Sequence, residues 1–122
     1  MSAILIVDDE ALIRWSLTES LSAAGYQVLE AATAVEALRM IDSAARDLSL
    51  VVLDLKLPDS SDLGLLRQVK RLAPDCRVIL ITAHGTSDQL DEARRLGASD
   101  VLEKPFDLGN FVDLVTHTLQ AA

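Results

Sequence analysis

Short apolar runs rich in β-branched residues recur along the chain, separated by stretches with helical spacing. The clear runs are AILIV from Ala3, LVVLD from Leu50 and RVILI from Arg77; QVLEA from Gln27 is weaker and DVLE from Asp100 very short. Strand-like runs alternating with helical segments predict βαβ units and a parallel sheet. The unbroken apolar character of the runs from Ala3, Leu50 and Arg77 suits strands buried on both faces. The runs from Gln27 and Asp100 mix polar with apolar residues and suit less protected positions.

The helical segments have readable ends. The first is predicted to start after Asp9 and stop at Gly25, which accepts the left-handed cap conformation. Ile13, Leu17, Leu21 and Ala24 form its core stripe. The second covers Ala34 to Ala45, with Thr33 as N-cap and Glu36 completing a capping-box pattern. The third runs from Ser61 to Leu72, before Pro74, and the fourth from Ser87 to Leu96, ending at Gly97. The last begins near Asp107, an N-cap residue, and presents Leu108, Phe111, Val115 and Leu119 on one face. Five βα units follow. Right-handed crossovers place helices on both faces of one sheet, an α/β doubly wound architecture. In such sheets the reactive loops gather beyond the carboxyl ends of the strands.

Composition narrows the function. A chain of 122 residues without low-complexity or linker-like stretches predicts one domain spanning 1–122. Half the residues are hydrophobic and a quarter charged, enough for a buried core. The net charge of -8 argues against direct contact with nucleic-acid phosphates. A single cysteine excludes an internal disulfide framework and an all-cysteine metal site. No apolar run approaches the roughly 20 residues of a membrane helix. The start, MSAILIVDDE, lacks the pattern of a signal peptide, so the cytoplasm is the expected compartment and no membrane partner is expected.

Each strong strand ends in a residue capable of chemistry. The first leads to Asp8, Asp9 and Glu10, the third to Asp54, the fourth to Thr82 and the fifth to Lys104, followed by Pro105. Taken singly, each has an ordinary reading: an N-cap, a turn residue, a loop Lys-Pro. Together they fall at the matching ends of four strands. Clustered carboxylates repel one another, and burial raises the cost. A hard divalent cation with oxygen ligands, Mg²⁺ above all, would compensate. With two histidines and one cysteine, zinc is a poor fit. Asp8, Asp9, Asp54, Mg²⁺, Thr82 and Lys104 suit phosphoryl transfer to a carboxylate, in which catalysis is mainly positioning and charge neutralisation.

The blocks LIVDDE, VVLDLKLPD, ILITAHG and GASDVLEKPFD resemble, in order and spacing, the signature blocks of response-regulator receiver domains of two-component signalling. The early ALIRWSL and late TAHG are most similar to receivers of nitrogen-regulation-type transcription activators. The resemblance implies a CheY-like, flavodoxin-like (βα)5 fold with strand order 2-1-3-4-5. It implies that Asp54 accepts a phosphoryl group from a histidine kinase or phosphotransfer protein. Asp9 would bind Mg²⁺ directly, Asp8 more often through water, and the Lys56 backbone carbonyl would be a further ligand. Lys104 and the switch hydroxyl of Thr82 would contact the phosphoryl group, with the small Ala83 leaving room for it. In the family the peptide bond after that lysine is often cis, here Lys104–Pro105. The resemblance also implies that Lys56 and His84 occupy positions that tune the lifetime of the phosphorylated state. Two departures stand out. Asp62 replaces the usual glycine of the loop after the third strand, and Val101 replaces the usual aromatic switch residue.

Three functions remain in play: a phosphorylation-driven switch, feeding an output domain that regulates transcription; an Mg²⁺-dependent aspartyl-phosphate hydrolase; and a degenerate receiver that only binds protein. The hydrolase would need an acid two residues after its nucleophile, where Lys56 stands. Trp15 lies opposite the stripe of the first helix, beside Leu12, as a candidate partner or linker contact. Asp91, Glu92, Arg94 and Arg95 form a polar outer face on the fourth helix. Receivers often pair there, through the fourth helix, fifth strand and fifth helix, making a homodimer a candidate. Cys76 and His117 carry no assignment.

Overall fold

Ile4 and Ile6 point to one side of the first strand and Leu5 and Val7 to the other, and all four are buried. That two-sided burial follows from the period-2 geometry of a strand with a layer on each face. The computed structural model describes residues 3–44, 47–59, 63–83 and 85–120. Its strands are β1 (Ala3–Val7), β2 (Gln27–Ala31), β3 (Leu48–Asp54), β4 (Arg77–Thr82) and β5 (Asp100–Glu103). All are parallel, in the order β2-β1-β3-β4-β5. The two mixed-polarity runs, β2 and β5, are the edges. The helices are α1 (Ala11–Ala23), α2 (Ala34–Ala44), α3 (Gly64–Leu72), α4 (Ser87–Arg95) and α5 (Leu108–Gln120).

The sheet divides two cores. On one face α1 and α5 bring Leu17, Leu21, Phe111 and Val115 against Ile4, Ile6, Leu50, Val52, Ile79 and Ile81. On the other, α2, α3 and α4 bring Ile41, Leu66, Val69 and Ala93 against Leu5, Val7, Val51, Leu53, Val78 and Leu80. Phe111 is fully buried; truncating such a side chain costs about 3–5 kcal/mol.

Several ends form as the sequence implies. Gly25 and Gly97 adopt φ values of 95° and 105° after α1 and α4. Thr33 Oγ1 accepts from the Glu36 amide and Asp107 Oδ1 from the Asn110 amide; the structure adds a cap at α4, where Thr86 Oγ1 accepts from the Gln89 amide. Three expectations change. Ala24 is exposed, because α1 ends one residue earlier and Ala24 turns out of the stripe. Leu108 is exposed too, at the first residue of α5, and Thr118 takes a buried place further along. Glu92 is half-buried; it reaches Arg67 on α3 at 3.6 Å and Arg95 at 3.1 Å, while Asp91, Arg94 and Arg95 stay exposed. Ser61, Asp62 and His84 lie outside the described residues.

Candidate functional site

Strand register sets the site. Val7 pairs with Leu53, so the residues that follow, Asp8 and Asp54, emerge side by side at the carboxyl edge. Thr82 ends β4 and pairs with Glu103, which brings Lys104 to the same edge. The Lys104 amide donates to the Thr82 carbonyl at 2.8 Å, and the Leu55 amide to the Ile81 carbonyl at 3.0 Å. The Lys104–Pro105 bond is cis.

One carboxylate oxygen from each of Asp8, Asp9 and Asp54 lies within 4.8 Å of the others. Asp8 and Asp54 are buried and Asp9 exposed. Asp54 Oδ1 accepts from the Lys56 amide at 3.0 Å. Its Oδ2 lies 3.4 Å from the Lys104 ammonium, which is also 4.0 Å from Glu10. Asp8 Oδ1 accepts from the Glu10 amide at 2.9 Å, while its Oδ2 is buried with no hydrogen-bond partner. Burial pushes the Asp8 carboxyl up to about 6; the Glu10 amide pulls it down, and the charge of Asp54 adds to the rise. Asp9, Asp54, Lys56, Thr82, Ala83 and Lys104 line a cleft of about 380 Å³, with Asp8 buried behind it. The orphaned Asp8 oxygen and the all-oxygen carboxylate set fit a hard divalent cation.

Val101 sits mid-strand in β5, half-buried, and packs on the core formed with α2, α3 and α4. It pairs with Leu80 rather than reaching the cleft. Trp15 and Leu12 are exposed on α1. Leu12 helps bound an apolar groove of about 400 Å³, with Ile13, Pro105, Phe106 and Leu108, that touches Lys104.

Two further residues shape the site and its surroundings. Arg14 donates to the Asp8 carbonyl at 2.7 Å and to Glu30 at 3.1 Å. Asp59, just past Pro58, accepts from the Ala34 and Val35 amides at 2.8 and 3.0 Å, which caps α2 from another part of the chain. Those two amides hold its carboxyl below the usual value. Only the DDxxxxR spacing, one helical turn and more past the acids, hinted at Arg14; no local signal reveals a cap made across 25 residues.

The sequence profile of the response regulator receiver domain matches residues 4–116. The chain belongs to this family. It is 38% identical over 112 residues to sporulation initiation phosphotransferase F of Bacillus subtilis (strain 168), covering 92% of this chain and 89% of that one. It is 38% identical over 118 residues to the DNA-binding transcriptional regulator NtrC of Rhizobium meliloti (strain 1021), covering 97% of this chain but only 24% of that regulator. The CheY-like receiver domain protein of Methanospirillum hungatei JF-1 superposes with a TM-score of 0.91 at 30% identity, covering 98% and 94% of the two chains. The fold is thus that of the CheY-like receivers of two-component systems. Among the described residues no helix is long and apolar enough to cross a membrane.

Proposed function

We propose that this receiver accepts a phosphoryl group on Asp54 from a phosphohistidine of a sensor kinase or phosphotransfer protein, and relays it as a change of shape. The observation that carries the reading is the meeting of Asp8, Asp9 and Asp54 at one cleft with the Lys104 ammonium on Asp54. The Asp54 carboxylate attacks phosphorus; a P–O bond forms, the P–N bond breaks, and the electron pair leaves on the imidazole nitrogen. Lys104 and the Thr82 hydroxyl supply positive charge and a donor for the transferred oxygens. Asp8, Asp9, Asp54 and the Lys56 carbonyl would hold Mg²⁺, which would neutralise charge on the phosphoryl group. The kinase would approach over the apolar groove beside Lys104, where Leu12 stands exposed.

Contacts to Thr82 and Lys104 favour an active arrangement of the loops around α4, a shift of population. Val101 cannot make an aromatic rotamer change, so the relay bypasses that step. Lys56 and His84 set how fast water removes the phosphoryl group. The domain, 1–122, is proposed to act on a transcription output domain, as the likeness to NtrC suggests, and to pair through α4, β5 and α5, where Asp91, Arg94 and Arg95 are exposed. Each exposed ion pair there adds only about 0–1 kcal/mol.

A hydrolase is disfavoured because Lys56 stands where it would need an acid. Incubation with acetyl phosphate and Mg²⁺ separates the readings. The switch gives one phosphoryl group per chain, absent in Asp54→Asn, without sustained turnover of small phosphomonoesters. Sustained turnover would overturn it.

A further inference from the structure

Asp8 is held at three points. Its amide donates to the Ala31 carbonyl at 3.1 Å, its carbonyl accepts from Arg14 Nη1 at 2.7 Å, and its Oδ1 accepts from the Glu10 amide at 2.9 Å. Only Oδ2 is left without a partner, and Asp8 belongs to the carboxylate cluster. The carbonyl held by Arg14 belongs to the peptide that joins Asp8 to Asp9. That unit is planar, so holding its oxygen restrains the peptide plane from which both acids branch.

Arg14 is itself anchored. Its Nε donates to Glu30 Oε1 at 3.1 Å, and its side chain is only 20% exposed. Glu30 pairs with Ile6 in the register of β1 and β2. A rigid guanidinium fork thus spans α1, the end of β1 and β2, a task that the point charge of a lysine performs poorly.

We propose that Arg14, braced by Glu30, is a positioning residue for the divalent-cation site: it orients the Asp8–Asp9 peptide and does not touch the cation. The inference rests on the cation reading given above. Groups that hold metal ligands in place, without binding the metal, change affinity by about 10–100-fold when removed.

Charge and orientation make opposite predictions. Arg14 is a cation beside an acidic cluster, so removing its charge, with geometry unchanged, would tighten Mg²⁺ binding. Loss of orientation would weaken it. The test is calorimetric titration with Mg²⁺ of the wild-type chain, Arg14→Met and Arg14→Lys, with the metal-free melting temperature read on the same samples. The expected result is binding at least about tenfold weaker in Arg14→Met, and weaker in Arg14→Lys although its charge is kept. The lysine variant also guards against a methionine variant that does not fold. Unchanged or tighter binding in the folded variants, with normal binding in wild type, would overturn the role of Arg14 alone. Absence of Mg²⁺ binding in wild type would overturn the cation reading, and this inference with it.

Discussion

The Lys104 ammonium lies 3.4 Å from Oδ2 of Asp54, two residues 50 positions apart joined at the carboxyl edge of the sheet. Asp54 is 4% exposed in its side chain and Lys104 23%, so solvent only partly screens the pair. The lysine is thereby stationed where negative charge would develop during attack at Asp54. Lys104→Ala should slow phosphoryl accumulation from acetyl phosphate by about 10²-fold, the usual loss when one preorganised donor to developing charge is removed. Stopped-flow or quench kinetics on the two chains would show it, and equal rates would count against the role.

Asp8 inverts the usual pH dependence of a carboxylate. Its folded value of about 6 lies above the ordinary 3.8, so the folded chain holds the proton more tightly than the unfolded chain. Its favourable contribution is fully present below about pH 4 and is lost as pH rises through 6. At about 1.4 kcal/mol per pH unit, the loss is about 2–3 kcal/mol. Without metal, Asp8→Asn should melt higher than wild type at pH 7, and the gap should close toward pH 4. Mg²⁺ should stabilise wild type at pH 7 more than the variant. Melting curves at several pH values check each part.

Asp59 ties the loop after Pro58 to the start of α2 through two amides. Its lowered pKa means that this tie is present above the ordinary carboxylate value and is lost as pH falls through the lower folded value. Asp59→Ala should speed hydrogen exchange at Ala34 and Val35, while Glu36, whose amide is held by Thr33, should change less. Residue-resolved exchange at neutral pH reads this directly.

Cys76 is buried, and burial pushes its thiol up to about 11, against a small pull from Lys70. The thiolate is the reactive form. The folded chain at pH 8 should resist alkylation by iodoacetamide, and guanidinium should expose the thiol to rapid reaction. Fast labelling of the native chain would contradict this burial.

Inner strands are legible because burial on two faces leaves unbroken apolar runs, and AILIV matches β1 residue for residue; the mixed runs QVLEA and DVLE match the less buried edges β2 and β5. Helix ends marked by Thr33, Asp107, Gly25 and Gly97 were legible because capping chemistry is local. Ala24 and Leu108 were misplaced for a related reason: spacing alone does not tell where a helix stops overlying the sheet. The gathering of Asp8, Asp9, Asp54, Thr82 and Lys104 followed from the rule that strand ends share an edge. Asp59 bonds to backbone amides 25 residues away, and Arg14 bridges the Asp8 carbonyl to Glu30 on another strand; pattern and composition encode neither tertiary partner.

We propose that distant residues assemble one magnesium-dependent phosphoryl acceptor at Asp54. The most direct measurement is peptide mapping by mass spectrometry after acetyl phosphate treatment, with and without Mg²⁺, on wild type and Asp54→Asn. The expected result is a single phosphoryl group on the peptide containing Asp54, dependent on Mg²⁺ and absent from the variant. Modification on another peptide, or an equal adduct in Asp54→Asn, would contradict it.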